Sequence, residues 1–251
     1  MSGITSGTLP ASLGGVAETT PRTPLQSEEL EALNAHFERA DPGEILRWAA
    51  GALPDGKLVL STSFGVGGIV LIHHLAESGL RLPVYFVDTL HHFPETLELA
   101  DRVRKHYGVD LRILRPAPDL ESFEAAHGPR LWEGEVNRFH RITKVEPMAR
   151  ALAGVEGWIT GRRRDQSATR AAIPVLEETE HRLKINPLAH WTLEEVWAFV
   201  RVHELPYNPL HDQGYLSVGD APLTTPVAPG EDERAGRWRG SGRLECGLHS
   251  L

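Results

Sequence analysis

The sequence predicts an α/β fold: a parallel sheet flanked by helices, followed by an irregular C-terminal tail. Three observations carry this. Short apolar runs at 57–61, 83–88, 111–114 and 157–160 have the length of buried strands. Capped helical patterns stand between them, the alternation that builds right-handed strand–helix–strand crossovers. From Pro206 onward Pro and Gly are frequent and no period survives; so long an irregular stretch is uncommon unless it is functional or disordered.

Residues 1–26 are rich in Ser, Thr, Gly and Pro and have no period, which predicts a disordered or loosely attached arm. Ser27 is placed to cap a helix reaching about residue 40, with Glu28 and Glu29 in its first turn. Asp41, Pro42 and Glu44 stand at the N-cap, N1 and N3 positions of a second helix ending near Gly51. The strand at 57–61 runs into a Ser- and Gly-rich turn, then a helix over 69–75 that stops at Gly79. The strand at 83–88 precedes a helix over 94–107, opened by Pro94 and closed by Gly108. After the strand at 111–114 come helical stretches over 120–127 and 143–153, then the strand at 157–160. Short extra strands are expected at 173–176 and 182–185, and Thr192 caps an amphipathic helix carrying Leu193, Val196, Trp197 and Val200.

Composition narrows the function classes. With 251 residues, 41% hydrophobic and 24% charged, the chain reads as an ordinary soluble globular protein. No apolar run approaches the ~18–20 residues of a membrane span, and no secretory signal opens the chain. A single cysteine excludes an internal disulfide framework and a Cys-rich metal or iron–sulfur site, and fits a reducing cytoplasm. A net charge of −8 argues against nucleic-acid binding. The arginines are clustered, at 162–164 with Arg170 and again at 234–243, a pattern that suits a small anionic ligand.

Four places draw attention. Ser61, Thr62, Ser63 and Gly65 sit in the first strand-to-helix turn, where backbone N–H groups and hydroxyls can face an anion. The turn matches neither the phosphate-loop nor the dinucleotide fingerprint, and a tight turn needing small residues explains it equally well. Asp88 and Thr89 end the second strand, where a carboxylate can accept bonds from a ribose or base; His91 and His92 follow without a third metal ligand. Arg162, Arg163, Arg164, Gln166, Ser167 and Arg170 end the fourth strand on the same sheet edge, and guanidiniums there can grip phosphate or sulfate oxygens in pairs. Lys144 opens a preceding helix and either reaches the same anion or stays solvated. In the tail, Arg234, Arg237 and Trp238 precede Cys246, with Gly236, Gly240, Gly242 and Gly247 supplying flexibility and His249 as a base or a steering group. Cationic neighbours favour the thiolate, the nucleophilic form of cysteine; Glu245 opposes them.

These pieces, in this order, resemble the phosphoadenylyl-sulfate/adenylyl-sulfate reductase family. The matching stretches are 61–65 (with Phe64), 88–89, 93–96, Leu131-Trp132, 144–148, 161–167, 214–220 and 245–249, so the resemblance spans about residues 40–251. It implies an adenine-nucleotide-hydrolase-like sheet in a nucleotide-binding domain over 27–205, and a tail over 206–251 carrying the catalytic cysteine. It implies that Cys246 attacks the sulfur of a sulfonucleotide, leaving a cysteine S-sulfonate that thioredoxin or glutaredoxin clears as sulfite. Lys144, Arg234 and Arg237 then become sulfate and phosphate contacts, and Ser61, Ser63, Arg163, Arg164 and Arg170 nucleotide contacts. One thiol cannot resolve its own adduct, so an external dithiol is required.

Family members with an iron–sulfur cluster carry paired cysteines where this chain has Phe139-His140, and again where it has Asp220 and Leu223. No cluster and no metal is therefore expected. Cluster-free members usually use 3′-phosphoadenylyl sulfate (PAPS), whereas residues 229–238 look closer to the cluster-bearing branch, which usually uses adenylyl sulfate (APS). PAPS is the expected substrate and APS the alternative. Relatives are commonly homo-oligomers. Two rival readings are an ATP pyrophosphatase-type ligase on the same fold, which would not need Cys246, and a nucleotide-binding module that has lost its chemistry.

Overall fold

The computed structural model describes residues 22–239, 243 and 245–251. The expected N-terminal arm therefore lies outside the described residues up to position 21, as do Gly240 and Gly242. From residue 22 the chain is tied down: Arg22 pairs with Glu178, and its backbone N–H donates to Glu156.

The helices α1 (Ser27–Phe37) and α2 (Pro42–Ala52) lead into β1 (Leu58–Thr62). Then follow α3 (Val66–Glu77), β2 (Pro83–Val87), α4 (Pro94–Tyr107) and β3 (Asp110–Leu114). Helices α5 (Leu120–His127), α6 (Leu131–Gly134) and α7 (Val136–His140) precede a π-helical turn, Arg141–Val145, which runs into α8 (Glu146–Ala151). Strand β4 (Gly157–Thr160), the hairpin β5 (Leu176–Glu178) and β6 (Leu183–Ile185), and α9 (Leu193–Val202) complete the regular part.

The six strands form one sheet in the order β3-β2-β1-β4-β6-β5. All neighbours are parallel except β5 against β6. The central strands β1, β2 and β4 are buried on both faces, which is why they read as continuous apolar runs rather than alternating ones. Leu58, Leu60, Val84, Phe86 and Ile159 point into the larger core, beneath α2, α3, α4 and α9. Val59, Tyr85, Val87 and Trp158 point the other way, onto Met148 and Leu152, with Leu248 and Leu251 of the tail against them.

Local chemistry sets the helix ends. The Asp41 carboxylate accepts from the Gly43 N–H, 2.8 Å, at the start of α2. Thr192 and Glu195 exchange hydrogen bonds at the start of α9, a capping box worth about 1 kcal/mol. Ser27 is not a cap: Gln26 holds that position without a side-chain bond, and Ser27 is the first helical residue. The extra strand expected at 173–176 lies at Leu176–Glu178, because the chain before it belongs to the loop anchored by Arg164 on the Ile173 carbonyl. The helix expected to begin at 143 is entered through the π turn. Pro147 lacks the N–H that an α turn would aim at Thr143, and its ring would crowd that carbonyl; the wider turn relieves both.

Candidate active site

Strand β1 has β2 on one side and β4 on the other, so the chain leaves the sheet centre in opposite directions. Open α/β sheets bind ligands in the crevice outside the carboxyl ends of such strands. Two loops meet there. Gly67 and Gly68, in the first turn of α3, press against Gly161, just past β4. A Cβ on Gly161 would stand 3.2 Å from the Gly68 nitrogen, and one on Gly67 3.3 Å from the Gly161 oxygen. Gly68 is tighter still: its Cβ would lie 2.2 Å from Thr62 Oγ1. That hydroxyl accepts the Phe64 N–H at 2.9 Å, closing a turn in which Phe64 has a left-handed φ of 57°. Because the N-cap of α3 is Gly65, with no side chain to cap it, and its first turn holds no acidic residue, its positive end faces the crevice unopposed.

A cavity of about 180 Å³ fills the crevice. Ser61, Thr62, Ser63, Gly65, Lys144, Arg162, Arg163, Gln166, Arg170, Arg234, Arg237, Trp238, Cys246 and His249 all line it. Strand ends, the π turn and the tail thus converge on one space. Six of these side chains are cationic, and most are held by neighbouring acceptors. Arg162 reaches Asn186 at 3.1 Å and Glu177 at 2.8 Å; Arg163, fully buried, pairs with Asp165 and Glu233. Lys144 Nζ pairs with the buried Asp220 carboxylate. Arg237 donates to Ser217 Oγ and the Val218 carbonyl and lies 4.7 Å over the Trp238 ring. Among the described residues no carboxylate forms an ion pair with it.

The tail is docked by its own carboxylate. Arg170 grips Glu245 through two bonds of 2.7 Å, and Arg234 adds a third at 3.2 Å. Burial pushes the Glu245 carboxyl up, but these guanidiniums outweigh it and hold it below its usual range. Burial, reinforced by Arg170, pulls Arg234 down to about 10, which leaves it charged at neutral pH. Cys246, half-buried, sits next in the chain. The His249 ring stacks on Trp158 at 5.5 Å. Burial first, then the Arg170, Arg162, Lys184 and Arg234 charges, hold it well below its usual value, so it is a neutral imidazole. Trp158 in turn donates its indole N–H to Ser61 Oγ at 2.7 Å, linking tail, β4 and β1.

Five residues expected at the site stand outside the cavity. Phe64 is core, edge-on to Phe86 at 5.0 Å. Arg164 turns to the far side of its loop and pairs with Glu38. Ser167 faces Thr169 at 2.9 Å. Asp88 is occupied by Arg115 at 2.8 Å and by the Leu90 N–H, and Thr89 donates to Asp220 at 2.7 Å. Neither is available to a ribose. Gly236 serves close approach rather than flexibility, since a Cβ there would meet the Thr225 carbonyl at 2.1 Å. His91 is enclosed by Phe123, Trp132 and Phe139 while His92 bonds to the Val87 carbonyl, so the pair shares no ligand position.

Sequence reasoning gave no site role to Glu233, which lines the cavity, or to Asp220, which stands behind Lys144; His92, noted as half of a histidine pair, and residues 216–219, noted within a matching stretch, also line it. Asp220 was visible as the end of the 214–220 stretch and as the place of an absent cysteine. Among the described residues no group of His, Cys, Asp or Glu is arranged to hold a metal ion. Phe139, His140, Asp220 and Leu223, at the positions where the resemblance would put cluster cysteines, offer no thiolate, so an iron–sulfur cluster does not fit them. Among the described residues no helix is long and apolar enough to cross a membrane.

Comparison with known proteins gives a consistent answer. The model of the phosphoadenosine phosphosulfate reductase domain matches residues 57–226. A phosphoadenosine phosphosulfate reductase of Emericella nidulans is 40% identical, covering 94% of this chain and 80% of its own. An adenosine 5′-phosphosulfate reductase of Deinococcus radiodurans is 41% identical over 94% and 92%. The solved phosphoadenylyl-sulfate reductase of Candida auris superposes with a TM-score of 0.73 at 36% identity, covering 82% of this chain and 99% of that one. The Candida glabrata FMN adenylyltransferase shares the fold alone, at 16% identity and a TM-score of 0.54 over 87% and 79%.

Proposed function

Since the chain belongs to the phosphoadenosine phosphosulfate reductase family, we propose that it reduces PAPS to sulfite and adenosine 3′,5′-bisphosphate, with Cys246 as nucleophile and thioredoxin or glutaredoxin as electron donor. The observation that carries this reading is the cavity that gathers Cys246 with Lys144, Arg162, Arg170, Arg234 and Arg237.

The chemistry follows from those residues. The Cys246 thiolate attacks the sulfate sulfur; a sulfur–sulfur bond forms and the bond from sulfur to the bridging phosphate oxygen breaks. The electron pair leaves on the nucleotide phosphate, a weak base that needs charge neutralisation more than a proton. Lys144, Arg234 and Arg237 supply that charge, and α3 presents its N-terminal N–H groups to the phosphate. Neutral His249 serves as packing for the tail rather than as a base. An external thiolate then attacks Cys246 Sγ, sulfite departs with the sulfur–sulfur electrons, and a second thiol of the donor resolves the mixed disulfide. The donor ends oxidised by two electrons and the transferred sulfur reduced by two.

The docked cavity is smaller than the ~300–1,000 Å³ of typical ligand pockets. Nucleotide entry on this reading displaces Glu245 from Arg170, and the tail closes again over bound substrate. Relatives named as APS reductases are as similar as those named for PAPS, which keeps APS as the second substrate reading. Incubating the reduced protein with PAPS or APS and measuring intact mass tests both. An adduct on Cys246 that thioredoxin removes supports the proposal; failure of either nucleotide to form one overturns it. A preference for APS in kcat/KM moves the substrate assignment.

A further inference from the structure

Asp220 is the most thoroughly enclosed carboxylate at the site and does not itself line the cavity. One carboxyl oxygen accepts from Thr89 Oγ1 at 2.7 Å; the other takes Lys144 Nζ and stands 3.5 Å from His140 Nε2. Its backbone is pinned as well: it bridges His92, and the next residue, Ala221, donates to the His91 carbonyl at 2.7 Å. Lys144 Nζ has no other hydrogen-bond partner among the described residues, which leaves two N–H groups for the cavity. On the other side, His140 Nε2 accepts the Trp238 indole N–H at 3.1 Å, and the Trp238 ring supports Arg237 at 4.7 Å and Arg234 at 5.3 Å. An indole N–H only donates, so that imidazole nitrogen carries no proton. Lys144 is then the cation that answers Asp220; against the upward push of burial, its charge holds the carboxyl well below the usual range.

A buried ion pair is weak evidence of stability, because an apolar pair of similar volume often does as well. This pair lies one link from the cavity, since Lys144 lines it and Asp220 does not. We propose that Asp220 is a positioning residue: through Lys144 it fixes where a cation of the cavity stands, without touching the reacting atoms. The proposal rests on the sulfonucleotide reading of the cavity.

Replacing the carboxylate with an amide removes one negative charge from beside an anion site and frees Lys144 to move. Ground-state affinity for an anion then holds or rises while the fixed geometry is lost. Asp220→Asn is therefore expected to bind adenosine 3′,5′-bisphosphate as tightly as wild type or up to tenfold more tightly by calorimetry, and to form the Cys246 adduct at least tenfold more slowly at saturating nucleotide. The double variant Asp220→Asn/Lys144→Met restores charge balance and is expected to be no slower than Lys144→Met alone. A merely structural role would weaken binding and rate together and make the two substitutions additive. A folded Asp220→Asn protein with wild-type rate, or additive losses in the double variant, overturns the proposal. Should Asp220→Asn not fold, the double variant compared with Lys144→Met answers the same question. If wild type forms no adduct, the function reading has failed, and calorimetry decides alone: tighter binding in Asp220→Asn that returns to the Lys144→Met value in the double variant supports the coupling, and tenfold weaker binding refutes it.

Discussion

Gly68→Ala tests the geometry of the anion-facing turn directly. The added Cβ would lie 2.2 Å from Thr62 Oγ1 and 3.2 Å from Thr62 Cβ. Thr62 is buried and cannot move freely, so its hydroxyl must rotate away from the Phe64 N–H that it accepts at 2.9 Å. Losing that bond costs about 0.5–1.5 kcal/mol. Overfilling a packed site costs about 1–3 kcal/mol. Gly to Ala inside a helix returns about 1 kcal/mol. The balance is a destabilisation of about 2 kcal/mol, or a fall in Tm of about 4–8 °C for a chain of this size. Thermal and urea unfolding measure it. Thr62→Ala removes the clashing oxygen, so Gly68→Ala in that background is expected to cost about 1 kcal/mol less. A Gly68→Ala protein as stable as wild type would show that α3 and β1 do not approach as described and that the turn has room to spare.

Other consequences are equally open to measurement. Glu245→Gln removes a carboxylate that occupies Arg170 and Arg234; tighter binding of adenosine 3′,5′-bisphosphate and faster proteolysis near the tail are expected, and weaker binding would sink the idea that Glu245 competes with the ligand. Arg164→Gln, which breaks a half-exposed pair with Glu38, is expected to cost at most about 1 kcal/mol and to leave nucleotide affinity unchanged; Arg170→Gln is expected to weaken affinity at least tenfold. Cys246→Ser is expected to abolish sulfite release while keeping nucleotide binding, whereas retained turnover would favour the ligase reading. Burial, the largest cause in each, depresses the folded-state pKa of His73, His74, His92, His140, His190, His211 and His249. The unfolded chain therefore binds more protons than the folded one below about pH 6.5, and stability should fall as pH drops from 6.5 toward the folded pKa values. A Tm at pH 5.5 equal to that at pH 7.5 would contradict this.

The alternation of strands and helices was legible because burial on both faces writes itself as short apolar runs, and because Asp41, Thr192 and Gly108 mark helix ends with side-chain or backbone chemistry. Convergence of Arg162, Arg163 and Arg170 was legible from their place after a strand end. Their partners were not. Nothing local tells that Arg164 turns to Glu38 while Arg163, its neighbour, turns inward to Glu233; that depends on contacts 126 and 70 residues away. Asp88 misled for the same reason, since Arg115 follows on the next strand's end. Phe64 lies within a functional motif for its backbone, which adopts the turn, and for a ring that fills the core. The tail's glycines read as flexibility, yet Gly236 is small because a carbonyl lies against it.

The π turn at Arg141–Val145 makes this stretch a length gauge. A turn closed by i→i+5 bonds holds one residue more than the α turns on either side. Losing one residue there would let the chain from Val136 to Ala151 wind as continuous α-helix, at the expense of a kink at Pro147, whose ring would crowd the carbonyl four residues back. Substitutions along the turn leave the spacing intact; a deletion does not. Drift in length is thus costly here whatever residues fill the turn, so the residue count between His140 and Pro147 should vary less among functional homologues than the residues there other than Lys144.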